Sequence, residues 1–187
     1  MDSIDPVWAW IARLGVSVLF AAAGLSKLWR RAEFRDAVAA YDLLPRRMVA
    51  PAALTLAAIE VAAAILLLLP AGRLAGAILL GGLLLLFTIA IAINLARGRT
   101  DIDCGCWMFG AGQSEHRSGI GGATVARNAV LLVLVLVASI PAEGRLLAVA
   151  DWAVIVAGTL AMLGFFAIVA QLTANGRRLA GLRAVRP

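Results

Sequence analysis

The chain of 187 residues is 63% hydrophobic and 15% charged, and its mean hydropathy is +0.94. An ordinary soluble domain is about 45–50% apolar with about 25% charged residues, so this composition excludes a soluble domain as the main body of the protein. The net charge of +6 does not indicate nucleic-acid binding. The lysines and arginines lie between and after long apolar runs, where cytoplasmic charge retention places them. We expect an integral membrane protein surrounded by lipid.

Five apolar runs predict membrane-spanning helices, because a bilayer core of about 30 Å requires about 20 helical residues. The predicted spans are 7–29, 49–69, 74–96, 123–140 and 149–173. The first run is too long for the core of a signal peptide and no lysine or arginine precedes it, so we expect no cleavage. The predicted fold class is all-α, a polytopic membrane helix bundle that forms one integral membrane domain over residues 1–187.

Two short and two long connections join the predicted spans. Pro70-Ala71-Gly72 and Pro141-Ala142-Glu143-Gly144 are tight breaks, so the second and third helices, like the fourth and fifth, are expected to form hairpins. In the first long connection, residues 30–48, apolar residues recur at helical spacing opposite charged ones. This pattern predicts a short interfacial helix on the membrane surface, with a covered loop as the alternative. The second long connection, residues 97–122, is rich in glycine and charge and contains both cysteines.

The two long connections lie on the same face of the membrane, because two spans separate them. We therefore expect them to touch. These connections and the C-terminal tail carry most of the lysines and arginines, whereas the connections of the opposite face carry only Arg73 and Arg145. By the positive-inside rule the cysteine-bearing face is cytoplasmic and the N-terminus is external.

The segment Cys104-Gly105-Cys106 contains the only two cysteines of the chain. Their α-carbons lie about 5–7 Å apart, which a disulfide accepts, but the small ring needs an unusual backbone that glycine can supply. Such a bond is strained and easily reduced, so it is suited to passing its oxidation to a partner. Inert loop cysteines are one alternative. A metal site with His116 and either Asp103 or Glu115 is another, but its spacing matches structural zinc sites poorly and we expect no metal.

Glu60 lies near the middle of the second span, where an ionised carboxylate is costly, so we expect it to face the bundle interior, protonated or paired. Lys27 and Arg127 approach from the cysteine-bearing face and are its candidate partners, with snorkelling to the headgroups as the alternative for both. Asn94 could hydrogen-bond across helices. The candidate catalytic residues are Cys104, Cys106 and Glu60, and the supporting residues are Lys27, Arg127, Asn94 and Gly105.

The following segments occur in this order along the chain: Gly24-Leu25-Ser26-Lys27-Leu28, Phe34, Tyr41-Asp42-Leu43-Leu44-Pro45, Glu60, Asp103-Cys104-Gly105-Cys106 and Arg127-Asn128. Together they resemble a known family, the MauE/DoxX-like redox-associated membrane proteins. The resemblance covers about residues 21–137, and the length and five spans are similar to those of its methylamine-utilisation members. One departure is Trp107-Met108, which precedes a Phe-Gly pair that usually follows the cysteines directly.

This resemblance implies a multi-pass protein of the bacterial cell inner membrane that helps to mature the beta subunit of methylamine dehydrogenase in methylamine degradation. The subunit is periplasmic and rich in disulfides, so the implied role is disulfide formation, processing or transport with the thioredoxin-like protein MauD. One cysteine pair cannot run a two-pair relay alone, so a partner dithiol and an electron acceptor such as a quinone are needed. The alternative is a non-catalytic membrane scaffold for export or assembly of the same subunit. A small transporter that uses Glu60 is a third interpretation, without an inverted repeat to support it.

Two lines of inference place the cysteines on different faces of the membrane. Charge counting predicts the cytoplasm, whereas oxidation of a periplasmic subunit is simplest if the dithiol faces the periplasm. An arrangement that satisfies both places the dithiol inside the bundle or at the inner face, with electrons passed across the membrane.

Overall fold

The computed structural model describes residues 5–99, 121–141 and 146–184, with side chains described as far as residue 172. These ranges contain six helices and no strand. Five of the helices coincide with the predicted spans within a few residues, except that the last continues to residue 184, and the second helix is the short one predicted in the first long connection. The all-α bundle is therefore confirmed. The helices are α1 (Pro6–Trp29), α2 (Arg31–Ala40), α3 (Arg46–Leu68), α4 (Arg73–Ala96), α5 (Gly122–Ala138) and α6 (Val149–Ala184).

Four helices in the described ranges are long and apolar enough to span a membrane, namely α1, α3, α4 and the segment Val149–Leu172 of α6. The remaining predicted span, the fourth, corresponds to α5, which is apolar but has only 17 residues, or about 25 Å at a rise of 1.5 Å per residue. The chain is therefore a multi-pass membrane protein whose fourth predicted span is short.

The central helix is α1. It packs against α3, α5 and α6, while α4 packs against both α3 and α5 and completes a ring of four helices. Of the apolar stretch of α1, 61% is buried inside the protein, whereas only 11% of the apolar stretch of α6 is buried. The outermost span is therefore α6. The core inside the ring is formed by Val16, Phe20, Ala63, Leu67, Leu80, Leu84 and Val135.

Glycines let α3 approach both of its neighbours closely. A Cβ atom on Gly24 of α1 would lie 2.6 Å from Val61 Cγ2 and 3.1 Å from the carbonyl oxygen of Ala57. A Cβ atom on Gly76 of α4 would lie 2.5 Å from the backbone nitrogen of Leu67. Small residues at such positions allow backbones in membrane bundles to pack closely. These contacts fix the height of α1 and α4 relative to α3.

As a result, α1 ends well short of the N-terminal end of α3. Gly24 is level with Ala57, which follows the first residue of α3 by 11 residues, or about 17 Å. The space beyond the end of α1 is filled by α2, whose Phe34 is buried against Ala53 and Ala57. Lys27, in the last turn of α1, is therefore held inside the bundle, whereas Trp29 at the end of that turn is exposed.

The described ends of the two long connections meet, as predicted. Asn94 Nδ2 donates a hydrogen bond to the carbonyl oxygen of Tyr41 at 3.2 Å, and the Arg99 guanidinium lies 3.5 Å from the Asp42 carboxylate. Tyr41 also packs against Ile91. Residues 100–120, which include both cysteines, lie outside the described residues.

Candidate functional site

A buried ion pair lies deep in the bundle. Lys27 Nζ donates to Glu60 Oε2 at 2.5 Å, and the two side chains are 5% and 4% exposed. Glu60 lies 14 residues after the start of α3 and 8 before its end, or about 21 Å and 12 Å along the helix, so it sits at hydrocarbon depth in a bilayer. The predicted pairing of Glu60 is confirmed. Its partner Lys27 does not snorkel, because its side chain is turned into the bundle and paired with Glu60.

Two aromatic rings also contact the Lys27 ammonium. Its Nζ atom lies 5.2 Å from the ring centroid of Phe34 and 5.1 Å from that of Phe87. A ring face attracts a cation through its quadrupole, more strongly where water is excluded. Lys27, at the end of α1, therefore connects α2, α3 and α4 through Phe34, Glu60 and Phe87.

The ion pair lines a cavity among α1, α3, α4, α5 and α6. The volume that the centre of a water molecule can occupy in this cavity is about 80 Å³. One buried water needs about 10–15 Å³ on this measure, so the cavity holds several waters or part of a ligand. Apolar walls with a few convergent polar groups are typical of ligand sites. The polar lining residues are Lys27, Glu60, Arg127 and Asn128, and the aromatic ones are Phe20, Phe87 and Phe166.

The first turns of α5 bring two polar residues to this cavity. Arg127 lines it together with Lys27 and Glu60, so three of the predicted site residues are close together. Asn128 is 3% exposed and its Nδ2 atom donates to Thr88 Oγ1 at 3.1 Å. Asn128 was not among the predicted site residues, although an amide in an apolar run was a signal that could have identified it.

Asn94 lies apart from the cavity. It is fully buried, and its Nδ2 atom donates to the carbonyl oxygens of Tyr41 and Ala90. It follows Phe87 by 7 residues, or about 10 Å along α4. The predicted hydrogen bond of Asn94 to another part of the bundle is therefore present. It joins α4 to the segment after α2.

Comparison with known proteins identifies the family. Residues 6–141 match the family model described as methylamine utilisation protein MauE. The chain belongs to the MauE family. The matched region includes α1 to α5 and therefore most of the cavity wall, together with the segment Cys104-Gly105-Cys106. Only the cavity residues on α6 lie outside it.

Individual MauE relatives agree with the family match. Each of the following is named methylamine utilization protein MauE. A protein of Methylophilus methylotrophus is 47% identical over 102 residues, which is 54% of this chain and 54% of the relative. One of Paracoccus denitrificans is 38% identical over 133 residues, 71% of this chain and 69% of the relative. One of Methylorubrum extorquens is 41% identical over 127 residues, which is 68% of this chain and 66% of the relative. The chain thus aligns with about half the length of the Methylophilus relative. No solved structure matches the chain.

The cysteines of this MauE-family chain lie outside the described residues, as do Gly105, His116, Asp103 and Glu115. Their roles therefore stay predictions. Within the described ranges there is no group of three side chains suited to hold a metal ion. The described chain stops at Arg99 before the cysteines and resumes at Gly121 after them, and Arg127 and Asn128 in the first turns of α5 line the cavity.

A buried charge that the sequence analysis overlooked lies toward the other end of α1. Arg13 is 4% exposed, its Nε atom donates to the carbonyl oxygen of Ala138 at 3.3 Å, and its Nη2 atom donates to that of Ile140 at 2.9 Å. The last carbonyls of a helix have no donors within the helix, and a membrane offers no water to supply them. Arg13 supplies donors at the end of α5, so we assign it a structural role in this MauE-family bundle.

Proposed function

We propose that this protein acts in methylamine utilisation, at the bacterial inner membrane, by helping to mature the beta subunit of methylamine dehydrogenase through thiol–disulfide chemistry. Family membership supports the pathway, because relatives 38–47% identical are named methylamine utilization proteins. The dithiol motif Cys104-Gly105-Cys106 within the matched region supports the chemistry. The thioredoxin-like protein MauD is the proposed partner.

The buried Lys27–Glu60 pair is the observation that best supports a chemical role for the bundle. A buried ion pair gives little net stability, because the loss of hydration offsets the Coulomb attraction, and well-packed apolar residues often replace such a pair without loss. Ionisable residues inside membrane spans are therefore functional by default. This pair lines the same cavity as Arg127 and Asn128, which lie in the first turns of the helix that follows the cysteine connection, so it is a candidate to move protons during thiol oxidation.

The proposed reaction is a thiol–disulfide exchange followed by reoxidation. A thiolate of the partner attacks the Cys104–Cys106 disulfide and forms a mixed disulfide, and the second partner thiolate releases it. The partner is left with a disulfide and this chain with two thiols. Closing the Cys104–Cys106 disulfide again removes two electrons and two protons. A membrane quinone is the proposed acceptor, and it leaves as the quinol with the same two electrons and two protons.

A second candidate function is a non-catalytic scaffold for export or assembly of the same subunit. It is favoured by the contacts of Lys27, which connect α1 to α2, α3 and α4 through Phe34, Glu60 and Phe87. On this hypothesis the pair only holds the helices together and the cysteines are structural.

Serine substitutions of the cysteines test the proposal. We expect Cys104→Ser and Cys106→Ser each to abolish accumulation of mature beta subunit, while the protein stays inserted at its normal level. The double variant should be no worse than either single one, because the two sulfurs act as a unit. Ser118→Ala in the same connection is the control. One of the single variants should also trap a mixed disulfide with MauD, visible on a non-reducing gel. Normal beta-subunit levels with the double variant would refute the redox role and support the scaffold.

A further inference from the structure

The cavity is lined by two helices, α5 and α6, whose backbones are not closely packed against each other over their described residues. Both α5 and α6 pack on α1, yet over their described residues they make no substantial contact with one another. Leu131 lines the cavity from α5, and Phe166 and Ala170 line it from α6. Because both helices lie within the membrane, a cleft between them would open toward lipid and would admit molecules dissolved in the bilayer.

The cleft is apolar along its length and polar at one end. Leu19 and Phe20 of α1 line the apolar part, and Lys27 lies 8 residues beyond Leu19, or about 12 Å along the helix. At that end Lys27 and Asn128 carry N–H groups, and Glu60 carries a carboxylate. An occupant that matches this gradient has an apolar tail and a compact head with oxygens that accept hydrogen bonds.

The depth of the polar end decides between two classes of lipid-soluble occupant. Glu60 lies about 21 Å from the start of α3, within the hydrocarbon layer. A phospholipid phosphate is charged and would have to leave the headgroup level to reach the pair, at a large desolvation cost. A quinone ring is neutral, carries two carbonyl acceptors and dissolves in the hydrocarbon layer.

We propose that the cleft between α5 and α6 is the entry and binding site of a lipid-soluble quinone, whose carbonyl accepts a hydrogen bond from Lys27 or Asn128. This inference rests on the proposed function, because closing the Cys104–Cys106 disulfide requires an acceptor for two electrons and two protons. The phenyl rings of Phe20, Phe87 and Phe166 are the flat apolar surfaces available to the ring. Lys27, held by Glu60, is the cationic donor at the carbonyl, and it passes on in turn the two protons that the thiols release, so that the quinone leaves as the quinol.

Photoaffinity labelling tests the site without measuring turnover. The purified full-length protein, in phosphatidylcholine nanodiscs, is irradiated with an azido derivative of a short-chain ubiquinone, and labelled peptides are mapped. We expect labels on the cleft-facing residues of α5 and α6, removed by excess unlabelled decylubiquinone. Two substitutions that fill the cleft from opposite walls, Leu131→Trp and Ala170→Phe, should each lower this labelling at least about ten-fold.

Matched substitutions on the exposed faces of the same helices provide the controls. Val133 on α5 is 59% exposed, and Ala161 on α6 is also exposed, so Val133→Trp and Ala161→Phe should keep the labelling of the unsubstituted protein. Equal labelling in cleft and control variants would overturn the site, and so would labelling that excess decylubiquinone does not remove, which would indicate acyl chains in the cleft. The two walls are tested separately, so the result stands if one variant fails to insert.

The outcomes also separate this site from the proposed function. The double Cys104→Ser, Cys106→Ser variant should be labelled like the unsubstituted protein, because the cleft does not depend on the thiols. If the cysteines prove necessary for maturation but no competed label appears in the cleft, the quinone site is wrong and the redox function stands. If the cleft is labelled but the double serine variant matures the beta subunit normally, the redox function fails and the binding site stands.

Discussion

The Lys27–Glu60 pair can be dissected by a double-mutant cycle. Lys27→Met and Glu60→Leu each leave one charge in a site where both side chains are about 95% buried. Removing one partner of a buried pair costs about 3–5 kcal/mol, whereas replacing both by apolar residues of similar size is often neutral or stabilising. We therefore expect each single variant to lose about 3–5 kcal/mol and the double variant to lose less than about 1 kcal/mol.

The assay is unfolding in mixed micelles by increasing mole fraction of sodium dodecyl sulfate, followed by circular dichroism. The exposed pair Arg30–Glu33 is the control, since its atoms are 3.5 Å apart and its side chains are 56% and 73% exposed. Arg30→Ala and Glu33→Ala should each change the free energy of unfolding by less than about 0.5 kcal/mol. Single variants of the buried pair that lose less than about 1 kcal/mol would refute the argument that the charges are desolvated.

The same double variant distinguishes the two candidate functions. If the pair moves protons, the folded Lys27→Met, Glu60→Leu protein should insert normally but fail to support accumulation of mature beta subunit. Normal accumulation with this variant would show that the pair serves only to hold the helices, as the scaffold hypothesis requires.

Two further predictions concern the packing of the bundle. Arg13→Met should lower the free energy of unfolding by about 2 kcal/mol or more, because it removes the hydrogen bonds that Arg13 donates to the carbonyls of Ala138 and Ile140; a loss below about 0.5 kcal/mol in the same unfolding assay would contradict this role. Gly76→Ala should cost about 1–3 kcal/mol, since its new Cβ would meet backbone atoms of α3. Gly82→Ala, with no atom within 4 Å of its Cβ position, should gain up to about 1 kcal/mol, and equal effects at the two glycines would refute the close-packing argument.

The sequence predicts the helices well, because long apolar runs can satisfy their backbone groups in a membrane only as helices. It also predicts that Glu60 is paired, since a lone carboxylate is costly at that depth. It does not decide between Lys27 and Arg127 as the partner. That choice depends on the height of α1 against α3, which the close contact at Gly24 sets and which no local pattern encodes.

Other parts of the site depend on contacts between segments far apart in sequence. The sequence places Arg13 near the start of a span, where it is indistinguishable from a flanking charge. In the structure it donates to carbonyl oxygens more than 100 residues away. The cleft lies between α5 and α6, which both pack on α1 but bring few of their described α-carbons close to each other. Neither feature leaves a periodic signal, so only the packed structure shows them.

The shortness of α5 has a consequence for the order in which the chain is built into the membrane. Its 17 residues include Arg127 and Asn128, so as an isolated segment it is a weak substrate for insertion. The carbonyl of Ala138 at the end of α5 accepts a hydrogen bond from Arg13 on α1, and Asn128 in its first turns donates to Thr88 on α4. Both α1 and α4 are synthesised earlier than α5. Membrane insertion of α5 therefore depends on helices already present in the bilayer, and α1 serves as the template on which the later helices assemble.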